Sequence, residues 1–190
     1  MASLLPFDEL NKFNEEIRNR YGTEKLKFED LDDILDEMLD LFLLAYAQGN
    51  TVTQENLAYL AQNKEFQKPT INEVMDVVDA KVAGQTWEER VKDWFASSGS
   101  VEDIVRIAET ETHRIANTSA LNTAKKVGAK SKTWITMADD RVRDTHDYLE
   151  MMTVGIDEDF QTYDGDYASA PGLFQMPQNN INCRCELMFS

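Results

Sequence analysis

The sequence predicts an α+β protein, with a mainly helical N-terminal part followed by a small C-terminal α+β module. Three observations lead there. Apolar residues recur three and four apart through the first two thirds of the chain, where Pro is confined to Pro6 and Pro69. Past Gly128 the texture changes to the short β-branched and aromatic run Lys132–Thr133–Trp134–Ile135–Thr136–Met137, which reads as a strand. From Thr153 to Asn180 the chain is loop-like, with Gly155, Gly165, Pro171, Gly172 and Pro177, before Ile181 to Phe189 reads as a closing strand. The expected organisation is an acidic helical region over 1–100 and a second region over 101–190. The latter comprises a long helix over 101–127 and a small module over 131–190.

The elements follow in chain order. From Phe28 to Tyr46, Leu31, Ile34, Leu35, Met38, Leu39, Phe42 and Ala45 form one broad apolar stripe, and Asp32, Asp33, Asp36, Glu37 and Asp40 fill the opposite face. Gly49 and Asn50 are expected to stop this helix, and Gln54 to Gln67 to form the next one. Pro69–Thr70 restarts the pattern through Val82, with Gly84 as its end. A further helix is expected from Thr86 to Ala96, where Trp87 and Trp94 stand seven apart on one face as core aromatics. The longest candidate runs from Val101 to Val127. Ser100 is its N-cap, Glu102 and Asp103 occupy its first turn, Lys125 and Lys126 its end, and Gly128 its C-cap. Its expected core stripe includes Ile104, Val105, Ile107, Ala108, Ile115 and Leu121. Glu111, His113, Arg114 and Asn117 are expected on the other faces, with His113 at the surface or between helices. Arg141 to Met151 is expected as a short helix capped by Asp139 or Asp140.

Charge narrows the function classes. Thirty-five acidic residues against 19 basic ones give a formal net charge of -16, which opposes general attraction to phosphates or anionic lipid. Residues 1–60 carry 13 acids and 5 bases, residues 61–130 nearly balance at 11 and 10, and residues 131–190 carry 11 and 4. Any contact with nucleic acid is therefore local, and the cluster Lys125, Lys126, Lys130 and Lys132 is where DNA would be met. No apolar run long enough to span a bilayer occurs, and the first residues do not resemble a secretory signal. A membrane partner is not expected.

The densest polar constellation is Asp139–Asp140–Arg141–Val142–Arg143–Asp144–Thr145–His146, together with the distant Asn182–Cys183–Arg184–Cys185. Cys183 and Cys185 are the only two cysteines, and a disulfide across one intervening residue would be strained, so reduced thiols are expected. Three readings of the cluster stand side by side. In one, His146, Cys183 and Cys185 ligate a structural zinc, with Asp139 or a water as the fourth ligand, and staple a module too small to be stable alone. In another, His146 is a general acid or base beside Arg141 and Arg143, which would hold a phosphate. In the third, Asp139 caps a helix, the arginines pair with neighbouring acids, and His146 packs beneath the loop. No Gly-rich phosphate loop, serine nucleophile motif or paired-carboxylate motif stands out.

The order Trp134, Asp139-x-Arg141-x-Arg143, His146, Phe160 in an acidic loop, Pro171 and Pro177, then Asn182–Cys183–Arg184–Cys185 resembles the C-terminal domain of the phage Mu protein F-like minor head proteins, or phage head morphogenesis proteins. The helix carrying Ile107, Glu109, Thr110, Glu111, Arg114, Asn117 and Ala120 is similar to the helix preceding that domain. The resemblance spans about residues 101 to 189. In one respect the chain departs from it: family members often follow the His-bearing helix with a Gly, where this chain has Leu149–Glu150–Met151–Met152. The resemblance implies a virion protein of a tailed bacteriophage, found inside the head and assembled in the host bacterial cytoplasm. It further implies association with the portal protein and the capsid or scaffold interior, and a part in head morphogenesis and genome packaging or delivery. It implies no enzyme. Some relatives carry fused toxin or ADP-ribosyltransferase domains, for which a chain of this length leaves no room.

The competing expectation is a small nuclease or toxin-type effector using His146 with Arg141 and Arg143. A DNA-mimic or antitoxin-like role rests on the negative charge alone, and the acids are accounted for by helix faces.

Overall fold

The computed structural model describes residues 3–22, 25–61 and 68–190. Helices α1 (Phe7–Tyr21), α2 (Leu31–Asn56), α3 (Ile71–Val78) and α4 (Trp87–Ser97) lead into the long α5 (Val101–Val127). Strand β1 (Ser131–Ile135), α6 (Asp144–Asp147), β2 (Thr153–Gly155), β3 (Phe160–Gln161), β4 (Tyr167–Ala168), α7 (Pro177–Asn180) and β5 (Glu186–Phe189) follow. The α+β class is the expected one. The C-terminal module is an antiparallel sheet in the order β2-β1-β5, with Thr133 opposite both Thr153 and Met188, beside the separate β3-β4 hairpin.

The stop expected at Gly49 and Asn50 does not occur, because α2 continues to Asn56. The physical reason lies across the helix interface: a Cβ on Gly49 would sit 2.3 Å from the carbonyl oxygen of Ala116 in α5. Glycine here permits close helix packing, and the buried stripe simply extends to Val52 and Thr53. The separate helix expected over Gln54 to Gln67 is consequently replaced by the end of α2 and a turn, with residues 62–67 lying outside the described residues. Helix α3 also ends early, at Val78. Beyond it Ala83 and Gly84 take φ of 51° and 88°, and Val82 pairs with Gln85 in a tight turn.

Two capping boxes fix the short helices. Thr70 and Glu73 exchange side-chain to backbone hydrogen bonds at the start of α3, and Thr86 and Glu89 do so at α4. Trp87 then packs edge-on against Phe42, with ring centroids 5.1 Å apart. Phe42, Met38, Ile34 and Ile17 are fully buried in the same core, each burial worth about 1.5–3 kcal/mol of transfer free energy.

Helix α5 joins this helical core to the C-terminal module. Residues up to Ala116 pack in the first core, whereas Leu121 belongs to a second built on Trp134, Leu149, Phe160, Phe174 and Leu187. Covered along most of its length, α5 buries Glu111, His113, Arg114 and Asn117, so the polar face expected for these residues is an interior one. Arg114 accounts for its own burial. Its guanidinium donates to Glu111 at 2.7 Å and to the carbonyls of Val77 and Val78 at 2.8 Å, closing the C-terminal end of α3, while Glu111 also pairs with Arg90.

The stretch from Phe160 to Asn180, loop-like in sequence, is organised by one buried carboxylate. Asp166 accepts from the backbone N–H groups of Gln175 and Met176 and from Asn179 Nδ2, at 3.0–3.1 Å. Asn180 then holds both the N–H and the carbonyl of Phe174.

Candidate metal centre

Three elements bring the site together. Strand β1 supplies Trp134, the single turn α6 supplies His146, and the segment entering β5 supplies Cys183 and Cys185. The helix expected over Arg141 to Met151 is reduced to Asp144–Asp147, capped by Arg143 backbone, because Asp139 instead turns the chain locally by accepting from Arg141 N–H at 3.1 Å. Asn182, at φ 56°, bends the chain into the cysteines, and the Cys183 N–H donates to the Asn180 carbonyl at 3.0 Å.

Both cysteines are free and buried, as expected of reduced thiols. His146 Nδ1 lies 3.6 Å from Cys183 Sγ and 3.4 Å from Cys185 Sγ, and the three donor atoms fall within 4.8 Å of one another. A tetrahedron with zinc–nitrogen bonds of about 2.05 Å and zinc–sulfur bonds of about 2.3 Å has a nitrogen–sulfur edge of about 3.6 Å. The donor set and its spacing therefore fit a tetrahedral thiolate–imidazole site.

Packing holds the ligands in place. The His146 ring meets Trp134 at 5.4 Å in a T-shaped contact and Phe174 at 5.4 Å, and it is 2% exposed. Of the two thiols, Cys183 is held well below the usual thiol range by the neighbouring Cys185 sulfur and by His146 beside it. Cys185 is pushed up by the neighbouring Cys183 sulfur and by burial. A deprotonated sulfur beside an imidazole is the form that ligates metal.

The remaining predicted residues divide. Asp139 lies outside the three-donor group, and both its oxygens accept from Arg184, at 2.7 and 2.9 Å. That pair holds the Asp139 carboxyl well below the usual carboxylate range. Arg141 is exposed against Asp139, and Arg143 donates Nη2 to the Ile181 carbonyl at 2.5 Å. The lysine cluster is not one surface. Lys132 is fully buried, its ammonium donating to the Ser169 carbonyl at 2.7 Å, and burial pushes its pKa down to about 8. Lys125 pairs with Asp157 and Lys126 with Glu73, leaving Lys130 exposed beside them. Lys132 is thus removed from any DNA contact by burial, and two of the other three lysines are charge-compensated.

Several structural residues of the site gave little sequence signal. Phe174 and Asp166 sit in a segment without periodicity. Arg114 and Glu111 carried the one available cue, an acid and a base three apart on a helix. His113 is buried and pushed down to about 4 by that burial, so its imidazole is neutral at pH 7.

Among the described residues no helix is long and apolar enough to cross a membrane. Comparison with known proteins finds two curated relatives. The minor head protein GP7 of Bacillus phage SPP1 is 36% identical over 86 residues, 43% of this chain and 28% of that protein. The NAD(+)--arginine ADP-ribosyltransferase EFV of Enterococcus faecalis (strain ATCC 700802 / V583) is 27% identical over 161 residues, 66% of this chain and 33% of that protein. The chain thus spans at most a third of the length of these relatives. No solved structure matches. Residues 70–188 match the model of the family described as Phage Mu protein F like protein. This match begins upstream of the resemblance read from residue 101 and takes in α3 and α4 as well as the C-terminal module up to residue 188, within β5. Covering more than half of the chain, it shows that the protein belongs to the Phage Mu protein F-like family.

Proposed function

We propose that this chain is a minor head protein of a tailed bacteriophage, carried inside the virion head, bound to the portal and acting in head morphogenesis and in genome packaging or delivery. The observation that carries this reading is the family match over residues 70–188, supported by the likeness to a protein named as a minor head protein. The working division is an acidic helical region over 1–100, facing a basic partner or solvent, and a head morphogenesis domain over 101–190. The assembly site is the host bacterial cytoplasm.

A structural role for the C-terminal cluster accompanies it. His146, Cys183 and Cys185 would hold a zinc ion that closes the end of the module, tying α6 to the segment entering β5. Supporting this are the donor chemistry and the 3.4 and 3.6 Å separations. The alternative reading, a small nuclease or toxin-type effector using His146 with Arg141 and Arg143, meets a steric objection: the imidazole is 2% exposed and its Nδ1 faces two sulfurs. An ADP-ribosyltransferase activity is the named property of a relative three times as long as the matched portion, and is not carried over.

The experiment is inactivation of the gene in a phage or inducible prophage that encodes it, followed by gradient purification of heads and crosslinking to the portal protein. The expected result is the protein in wild-type heads, crosslinked to portal, with a fall in infectious particles when it is absent. Its exclusion from assembled heads while abundant in the lysate would contradict the proposal.

A further inference from the structure

Three protein donors leave one vertex of a tetrahedron unfilled, and the neighbours of His146, Cys183 and Cys185 restrict what fills it. Asp139, expected as the alternative to a water at that vertex, is committed through both oxygens to Arg184. Among the described residues, the metal-ligating group contains no fourth His, Cys, Asp or Glu. The three ligand residues instead line a cavity of about 20 Å³ with Met137, Val142, Asn182 and three arginines, of which Arg141 and Arg184 are engaged by Asp139 and Arg143 is not. That volume admits one water-sized ligand, since a single water needs about 10–15 Å³ measured this way.

Arg143 supplies the second observation. Its Nη2 is fixed on the Ile181 carbonyl at 2.5 Å, while its Nη1 is buried and has no hydrogen-bond partner among the described residues. An unsatisfied buried guanidinium N–H is costly, and one beside a cavity of this size calls for an acceptor inside it. Charge specifies the acceptor. A divalent metal with two thiolates and a neutral imidazole sums to zero, so a monoanion in the fourth position leaves one negative charge, which the Arg143 guanidinium balances.

We propose that the fourth position of the centre is reserved for an exogenous small monoanion, hydroxide in water, that bonds the metal and accepts a hydrogen bond from Arg143 Nη1. The inference rests on the metal reading of the three donors and adds that the site is open, where a purely structural zinc would be closed by four protein ligands. Arg143 then acts as an anion-positioning residue, without ligating the metal itself.

The test uses the full chain loaded with Co²⁺, whose visible ligand-field bands report coordination directly, titrated with azide as the probe anion. Wild type, Arg143→Gln and Arg143→Lys are compared at equal cobalt content, with circular dichroism verifying that each is folded. Azide is expected to shift the bands saturably in wild type. In Arg143→Gln, cobalt stoichiometry should hold while azide affinity falls by about tenfold or more, the value of one hydrogen bond to a charged group; Arg143→Lys should fall between them. Bound cobalt whose bands ignore azide, or equal azide affinity in wild type and Arg143→Gln, would overturn the open position while leaving the metal site standing. Failure of wild type to bind cobalt would overturn the metal reading itself, and this inference with it.

Discussion

Asp139 and Arg184 form a two-pronged ion pair, with Nη2 to Oδ1 at 2.7 Å and Nη1 to Oδ2 at 2.9 Å. It joins the segment leaving β1 to the residue between the two cysteines. The pairing aligns two oxygens with two N–H groups, a geometry lysine cannot copy. The pair orients the Cys-Arg-Cys segment from outside, and in doing so takes the carboxylate away from the cluster.

That pair sets a pH dependence. The Asp139 carboxyl is held well below its ordinary range by Arg184, so the folded state binds its proton less readily than the unfolded chain. The stabilisation is complete above the unfolded carboxylate value near pH 4 and is lost as pH falls below it. Asp139→Asn should lower the urea midpoint at pH 7, and the gap from wild type should close toward pH 2. A gap that stays constant from pH 7 to pH 2 would mean that the pair contributes nothing through charge.

Gly49 lets α2 approach α5 to backbone contact. In Gly49→Ala the added Cβ meets the Ala116 carbonyl oxygen at 2.3 Å, and neither backbone can rotate away as a side chain would. A loss of about 2–3 kcal/mol is expected by denaturant unfolding, in the range of core overpacking. A neutral or stabilising result, as expected for alanine in an ordinary helix interior, would show that the helices separate freely.

Met151 occupies a left-handed conformation at φ 58° and is 61% exposed, while its N–H donates to the Trp134 carbonyl. Here the chain departs from the glycine often found after the His-bearing helix, and the turn forms with a strained residue in place. Met151→Gly should stabilise the fold by about 0.5–1 kcal/mol, relief of left-handed strain exceeding glycine's unfolded-state entropy. Thermal unfolding reads it, and a lower melting temperature would contradict it.

Arg114 is 1% exposed and satisfies Glu111 together with two carbonyls at the end of α3. Arg114→Met would leave those carbonyls without donors and Glu111 with Arg90 alone. The expected cost is about 3–5 kcal/mol, as for breaking a buried charged network from one side. A loss below 1 kcal/mol in denaturant unfolding would mean that water replaces the guanidinium.

Much of this architecture was readable because local signals agreed with tertiary demands. Helix α5 has acids at its start, lysines at its end and Gly128 at its C-cap, and it runs over the expected residues. His146, Cys183 and Cys185 were linked by ligand chemistry, and Trp134 by the motif order of the resemblance, before topology placed them together. What was misread shares one cause: a residue whose local preference points one way and whose tertiary role points another. Gly49 looks like a terminator and is a contact point. Lys132 looks like a phosphate ligand but sits on the inward face of β1, over Phe160 at 5.4 Å. Arg114 and Glu111 look like a solvated pair until α3 and Gly172 close over them, a Cβ on Gly172 being 2.8 Å from Arg114 Cβ. Asp166 organises a segment that has no periodicity to read.

The metal staple is tested most directly by elemental analysis of the tag-free protein, beside a Cys183→Ser, Cys185→Ser double variant. About one zinc per chain in the wild type and none in the variant is the result that a His146–Cys183–Cys185 centre predicts. Wild-type protein that carries no zinc after purification and refolding in its presence would contradict it, returning the cluster to a buried polar network.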